Sequence, residues 1–239
     1  MTADEHPATG DDALDRLVHE IRACRICLER PLKRPLPHEP RPVLRVSSKA
    51  RIAICGQAPG TRVHASGTPF SDPSGDRLRE WLGVTAEEFY DQHRIAIVPM
   101  GFCFPGHDAK GGDLPPRREC VQTWHRRLFA ALPRFEVIIA VGGYAQAFHL
   151  GDRCRPTLTQ TVRDWRSLSA TAAPPFIYPT PHPSWRNSGW LKANPCFGAE
   201  LLPQLRRHVR ALLDAQPAVP AAASTRGGGN GFAAAADQP

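Results

Sequence analysis

The sequence predicts an α/β protein, a three-layer α/β/α sandwich around a central four-stranded parallel sheet. Four short apolar segments alternate with segments of helical periodicity, which is typical of a parallel sheet covered by helices on both faces. Each apolar segment is followed by a motif rich in Gly, Pro or His, and loops at the carboxyl ends of parallel strands form the ligand crevice of such folds. The chain has 239 residues, of which 41% are hydrophobic, enough for one domain with a full core.

The elements follow from periodicity and from turn residues. Leu14, Leu17, Val18 and Ile21 fall on one face of a helix. We expect strands over residues 51–55, 94–99, 136–141 and 175–179, and helices over 11–23, 74–82, 85–92, 117–132, 144–150 and 198–213. These elements form one domain over residues 11–213. Residues 1–10 are expected to be a flexible tail, and the Ala/Pro/Gly-rich residues 214–239 a disordered one.

Charge and hydropathy limit the classes of protein to which this sequence can belong. The net charge of +7 comes almost entirely from arginine, which suits a polyanionic partner such as DNA. A solvated basic surface is the alternative. No apolar run reaches the length of about 18 residues that a membrane span needs, and the polar, acidic N-terminus does not resemble a signal peptide. We therefore expect a cytoplasmic monomer that does not contact membranes.

The first glycine loop, Gly56–Gly60, follows the first predicted strand. Glycines let backbone N–H groups approach a bound oxygen closely, although the same residues also suit a plain strand-to-helix turn. The spacing matches neither a Walker A loop nor a dinucleotide fingerprint. Downstream, Phe70 lies between prolines in a polar loop, where its ring can stack on a planar ligand for about 1–3 kcal/mol or fill the core instead.

Four of the seven cysteines have the spacing of a metal site. Cys24 and Cys27 form a CxxC pair, and Cys103 and Cys120 flank a Gly/Pro-rich loop, which suits four thiolate ligands. A thioredoxin-type pair is disfavoured because this CxxC follows a helix instead of opening one. Zinc and iron–sulfur clusters both accept four thiolates, so the spacing leaves both open. The remaining cysteines are interpreted as ordinary residues: Cys55, Cys154 and Cys196.

The histidine motif at residues 181–187 is the sharpest local signal. His182 lies between two prolines, so its imidazole is held rigidly near the mouth of the predicted sheet, where it can stabilise developing negative charge. A purely structural His-Pro turn is the alternative. Ser184 can cap the following helix or contact a phosphate, and Arg186 can contact the DNA backbone. Asn187 can contact a base edge or a water molecule.

Together these residues resemble the uracil-DNA glycosylase superfamily, and within it the iron–sulfur enzymes called family 4. The resemblance extends from about Cys24 to Leu213. It is carried by the two N-terminal cysteines, the first glycine loop, the G-x-P-F segment, the two later cysteines and the final histidine: Cys24, Cys27, residues 56–60, residues 67–70, Cys103, Cys120 and His182. The HPSWRN sequence is similar to the H-P-S-P-R-N motif of the single-strand-selective glycosylases. The resemblance favours a 4Fe-4S cluster over zinc.

The resemblance implies a DNA repair enzyme that extrudes uracil, or a related deaminated or damaged base, and hydrolyses its N-glycosidic bond. An abasic site remains in the DNA. His182 is then expected to stabilise the leaving base. The base is expected to lie among Gly56, Ala58, Phe70 and Met100, while the DNA backbone contacts the remaining predicted residues: Gly60, Ser184 and Arg186.

Three positions depart from the family pattern. Gln57 replaces the usual Glu, Ala58 replaces an Asp or Asn, and Pro99 stands where many relatives have the Asn that contacts uracil. Gln57 can position a water molecule but cannot take its proton, so Asp72 and Asn187 are further candidates for that role. The departures also leave two rivals open, a DNA-binding module without catalysis and a small-molecule hydrolase.

Overall fold

The computed structural model describes residues 10–171 and 173–215. The predicted tails lie almost wholly outside these described residues. The predicted sheet is confirmed, with four strands: β1 (Ile52–Cys55), β2 (Ile95–Ile97), β3 (Val137–Val141) and β4 (Phe176–Thr180). All pairings are parallel and the strand order is β2-β1-β3-β4. Each predicted strand therefore lies within one or two residues of its expected position.

Helices cover both faces of the sheet, as the apolar pattern predicts. Alternate strand residues enter two separate cores: Ala53 and Ala140 pack on one side, and Ile54 and Ile139 on the other. In chain order the helices are α1 (Gly10–Arg22), α2 (Ile26–Glu29), α3 (Thr61–Ser66), α4 (Pro73–Leu82), α5 (Ala86–Tyr90), α6 (Arg118–Cys120), α7 (Arg126–Ala131), α8 (Gly143–Leu150), α9 (Leu158–Arg163), α10 (Trp165–Ser169), α11 (Ser188–Ala193) and α12 (Leu202–Asp214). Helices α1, α7 and α8 pack on the first core, and α4, α5 and α12 on the second.

Helix ends are set by the residues that flank them. Asp72 starts α4 because its carboxylate accepts hydrogen bonds from the amides of Ser74 (3.0 Å) and Gly75 (3.2 Å). Gly83, in the left-handed conformation with φ 67°, ends the same helix. The sequence did not predict α2, α3, α9, α10 or α11, because helices of this length are too short to show an apolar period.

The strand order places a crevice beside β1. The chain leaves β1 towards β2 on one side and returns to β3 on the other side of β1. The loops after β1 and β3 therefore diverge, and ligands of open α/β sheets bind at such a point, beyond the carboxyl ends of the strands. Within the described ranges, no helix is long and apolar enough to cross a membrane.

Candidate active site

A narrow cleft opens at this point, with an internal volume of about 70 Å³. It contains the three groups that the sequence predicted to face one another: the first glycine loop, the ring of Phe70 and the imidazole of His182. The remaining lining residues come from neighbouring loops, from the end of β2 and from the first turns of α3 and α4: Val43, Val63, Pro69, Asp72, Ser74, Ile97, Pro99 and Asp113. The cleft is thus built from loops that follow different strands.

The ring of Phe70 lies against the glycine loop. A Cβ atom at Gly56 would come 3.2 Å from Cζ of Phe70, so glycine at this position lets the ring approach the backbone. The ring also packs in a T-shaped arrangement with the ring of Phe89, with 6.0 Å between ring centroids. Phe70 therefore forms one wall of the cleft and also contacts the second core.

The backbone of Phe70 is strained. Its φ of 54° falls in the left-handed region that non-glycine residues rarely adopt. The Tyr90 hydroxyl donates to the Phe70 carbonyl at 3.1 Å. A Cβ atom at Gly75 would lie only 1.8 Å from the same carbonyl oxygen, so this backbone conformation requires glycine at position 75. Strain of this kind persists where surrounding groups fix it, and it is concentrated at functional sites.

His182 presents one defined face to the cleft. The amide of Ser184 donates to Nδ1 of His182 at 3.2 Å, so Nδ1 is the acceptor and Nε2 carries the proton in the neutral ring. Burial lowers the pKa of His182, against a smaller opposing effect of the Asp72 and Asp113 carboxylates. The imidazole is therefore a neutral hydrogen-bond donor at neutral pH.

The turn around His182 is held by hydrogen bonds from its own residues and from α4. Asn187 donates from Nδ2 to the His182 carbonyl at 2.8 Å, and Arg77 donates to the Ser184 carbonyl at 3.0 Å. Oγ of Ser184 accepts from the Arg186 amide at 3.3 Å, so Ser184 caps the short helical turn Trp185–Asn187 as predicted. Asn187 does not line the cleft; its amide supports the turn.

Three other predicted residues have structural partners of their own. Asp72 lines the cleft, but its Oδ1 is used to start α4. Gln57 lines the cleft and donates from Nε2 to the Leu114 carbonyl at 3.4 Å. Met100 lies outside the cleft lining, because the chain after β2 directs its side chain into the first core, while its amide donates to the Gly56 carbonyl at 2.9 Å.

Two residues near the cleft were missed by the sequence analysis. Trp185 is 73% exposed beside the histidine turn, with the guanidinium of Arg186 5.9 Å from its ring centroid. Its signal was the aromatic residue within the HPSWRN motif. Asp113 brings a carboxylate into the cleft from the Gly/Pro loop, and no local pattern marked it.

The four predicted cysteine ligands lie in one region, at the junction of the N-terminal arm and the loop after β2. The Cys27 thiol interacts with that of Cys120, and Cys103 interacts electrostatically with Cys24 and Cys27. All four cysteines are free thiols. No three His, Cys, Asp or Glu side chains of the described residues stand ready to hold a single metal ion.

The surroundings of the sulfur atoms fit an iron–sulfur cluster. Trp124 donates from Nε1 to Cys24 Sγ at 3.2 Å, and the Phe102 amide donates to Cys120 Sγ at 3.4 Å. N–H groups directed at thiolates are the hydrogen bonds that stabilise and tune such clusters. Burial raises the pKa of Cys103 to about 12, so a thiolate there needs a nearby cation to be stable. Four thiolates of a 4Fe-4S cluster each bind a different iron, which does not require the geometry of a single-ion site.

Fold and cleft together define a class of protein: a parallel α/β domain with a crevice that presents a neutral imidazole, an aromatic ring and a glycine loop. The family model of the Uracil DNA glycosylase superfamily matches residues 45–206, and the chain belongs to this superfamily. Its members are typically DNA glycosylases. The matched segment includes Cys103, Cys120 and His182, whereas Cys24 and Cys27 precede it. The match is to the superfamily as a whole, so membership of the family 4 branch stays a prediction.

Proposed function

We propose that the protein is a DNA repair glycosylase that hydrolyses the N-glycosidic bond of uracil, or of a related deaminated or damaged base, and leaves an abasic site. One observation carries the proposal: the neutral imidazole of His182 has its Nδ1 occupied by the Ser184 amide, which leaves the Nε2–H as the donor. A superfamily of DNA glycosylases supplies the reaction class.

His182 stabilises the leaving base. As the glycosidic bond stretches, the base gains negative charge and the sugar gains positive charge. A neutral imidazole that donates from Nε2 to a base oxygen lowers the energy of this state more than that of the ground state, which is the condition for catalysis. Because the turn already fixes the ring, little reorganisation is needed when the charge develops.

The cleft binds one extruded base. Extrusion costs a few kcal/mol of lost stacking and pairing, and stacking on the ring of Phe70 returns about 1–3 kcal/mol. The backbone of Gly56 and Ala58 lies at the edge of the base, where glycine lets N–H groups come close. Pro99 carries no polar side chain, so recognition of the base depends on the backbone and on His182.

DNA is held around the mouth of the cleft. Arg186 and the exposed ring of Trp185 lie beside the histidine turn. A guanidinium suits a phosphate, and an apolar ring inserted between bases fills the gap that an extruded nucleotide leaves. Ser184 and Gly60 add short contacts to the DNA backbone on the two sides of the cleft.

Four cysteines would hold a 4Fe-4S cluster: Cys24, Cys27, Cys103 and Cys120. Such a cluster, when bound, supplies a structural cross-link between the N-terminal arm and the loop after β2. The N–H groups of Trp124 and Phe102 then donate to the coordinating sulfurs. Nothing in the proposed hydrolysis requires electron transfer.

The function is tested with purified protein and oligonucleotides that carry uracil, hypoxanthine, xanthine or an oxidised pyrimidine at one position, in single and double strands. After incubation, alkali cleaves any strand that contains an abasic site. We expect cleavage at uracil or at one of the other altered bases. Binding of DNA without any cleavage would instead favour a DNA-binding module, which is the second candidate because neither Gln57 nor Ala58 supplies the usual carboxylate. Absence of DNA affinity at low salt would favour a small-molecule hydrolase.

A further inference from the structure

The segment between Gly106 and Leu114 folds as a self-supported hairpin. The Leu114 amide donates to the Gly106 carbonyl at 2.9 Å, and the Asp108 amide donates to the Gly112 carbonyl at 2.8 Å. The Asp108 side chain accepts from the amides of Lys110 (2.8 Å) and Gly112 (2.9 Å), which closes the tip. The hairpin therefore has a defined conformation although it contains no helix and no strand.

This hairpin is fastened to the rim of the cleft. Nε2 of His107 lies 3.0 Å from the Thr61 hydroxyl at the start of α3, and Gln57 donates to the Leu114 carbonyl. Asp113 of the hairpin lines the cleft together with the glycine loop and His182. The hairpin thus borders the cleft that these two elements share.

Asp113 is the residue that this hairpin presents to the cleft. Its Oδ1 lies 3.2 Å from Nδ1 of His107, which orients the carboxylate. Its Oδ2 faces Gly60, 3.6 Å from the position that a Cβ there would occupy. The side chain is 47% exposed, so water reaches it.

The other carboxylate in the cleft is less available. Oδ1 of Asp72 accepts hydrogen bonds from the Ser74 amide, the Ser74 hydroxyl and the Gly75 amide, and it starts α4. Protonation or movement of this group would disturb the start of α4. Asp113 does not start a helix, and among the described residues its carboxylate contacts the side chain of the half-exposed His107.

We propose that Asp113 orients the attacking water and accepts its proton, in place of the carboxylate that the loop at Gln57 and Ala58 lacks. This inference rests on the proposed glycosylase function. As the bond between C1′ and the base nitrogen breaks, its electron pair leaves with the base, whose charge His182 stabilises. The water oxygen forms the new bond to C1′ and its proton passes to Asp113. The base anion takes a proton from solvent, and Asp113 returns its own to solvent.

The test uses the full chain in three variants: Asp113→Asn, Asp113→Ala, and the control Asp152→Asn, which changes an exposed aspartate outside the cleft lining. Single-turnover excision is measured with the base that the wild type removes, and the dissociation constant for the same DNA is measured by fluorescence anisotropy. General-base catalysis contributes about 100-fold or more. We therefore expect Asp113→Asn to slow excision by roughly 100-fold with unchanged DNA affinity, and sodium formate to restore part of the rate of Asp113→Ala.

The outcomes separate this inference from the proposed function. A wild type that excises no base overturns both. An active wild type whose Asp113→Asn variant keeps its rate within about threefold overturns the role of Asp113 alone. The same holds if Asp113→Asn loses DNA affinity in proportion to rate and formate restores nothing, because the residue would then only hold the hairpin.

Discussion

The cleft and the cysteine region are held together by different forces. In the cleft, hydrogen bonds within the protein hold the start of α4 and the turn around His182. The positions of these groups therefore do not depend on a bound metal or cofactor. In the cysteine region, buried thiols meet one another and a few N–H donors, and the pKa of Cys103 is raised to about 12 by burial. The first region is pre-organised for chemistry, whereas the second, under the proposal above, would be completed by the bound cluster. Substitutions in the cleft should therefore lower activity and leave stability unchanged, whereas substitutions of the four cysteines should lower stability.

The largest effect is expected in the cysteine region. Cys103→Ala removes one of four proposed ligands and should abolish both the bound iron and the folded protein, since metal binding and folding are coupled in such sites. Iron content, absorption at about 400 nm and the thermal melting temperature measure this. Cys196→Ala, outside the group, is the control and should be unchanged. A Cys103→Ala protein that is colourless, stable and fully active would contradict the proposal that the cysteine region needs a cluster to fold.

In the cleft, the matching substitution is His182→Ala. Loss of one pre-organised donor to a developing anion costs about 2.7–4 kcal/mol, so excision should slow by roughly 100–1000-fold. The melting temperature and the iron content should stay close to those of the wild type, because Asn187 and Arg77 still hold the backbone of the turn. A slowing below about fivefold would remove His182 from the chemistry.

A smaller effect is expected at Phe70. Phe70→Ala removes the stacking surface of the base and should weaken the binding of substrate DNA by about 1–3 kcal/mol, or roughly 5–150-fold. Phe70→Tyr should keep most of the affinity, since the ring remains. Phe148→Ala, a partly exposed phenylalanine on α8, is the matched control. Equal losses for Phe70→Ala and Phe148→Ala would mean that the loss comes from stability and not from stacking.

The smallest expected effect is on pH dependence. Burial lowers the pKa of His182, so the neutral ring persists at neutral pH and is protonated only as pH falls through that lowered pKa. The unfolded chain then binds the proton more readily than the native one, so this group contributes stability that is present above its unfolded pKa and lost on acidification. The pH profile of kcat/KM should be flat across neutral pH, with an acid limb below the usual histidine range. A limb centred at about 6.5 would show that the ring is solvated.

The sequence predicted the sheet and the convergence of its loops more closely than the details of the cleft. The glycine loop and the His182 turn each follow a strand, and both can be recognised from the local sequence. Because the strands are parallel, their carboxyl ends lie at the same edge of the sheet, which brings the two loops together. Met100 was expected to contact the extruded nucleobase because it follows β2. The direction of its side chain depends on core packing that the sequence does not show. Asp113 was missed because the shape of its hairpin depends on Asp108 and on contacts with Thr61 and Gln57, which are distant in sequence.

The hairpin at residues 106–114 places chemistry on a replaceable part of the molecule. Its tip closes on its own hydrogen bonds, and its two ends meet at one backbone hydrogen bond between Gly106 and Leu114. A different sequence of similar span can therefore be exchanged there without altering a strand or a helix. The carboxylate that accepts the proton of water can then be gained, lost or moved without a change in the sheet or its helices. Enzymes with the same fold can therefore carry this carboxylate on different loops.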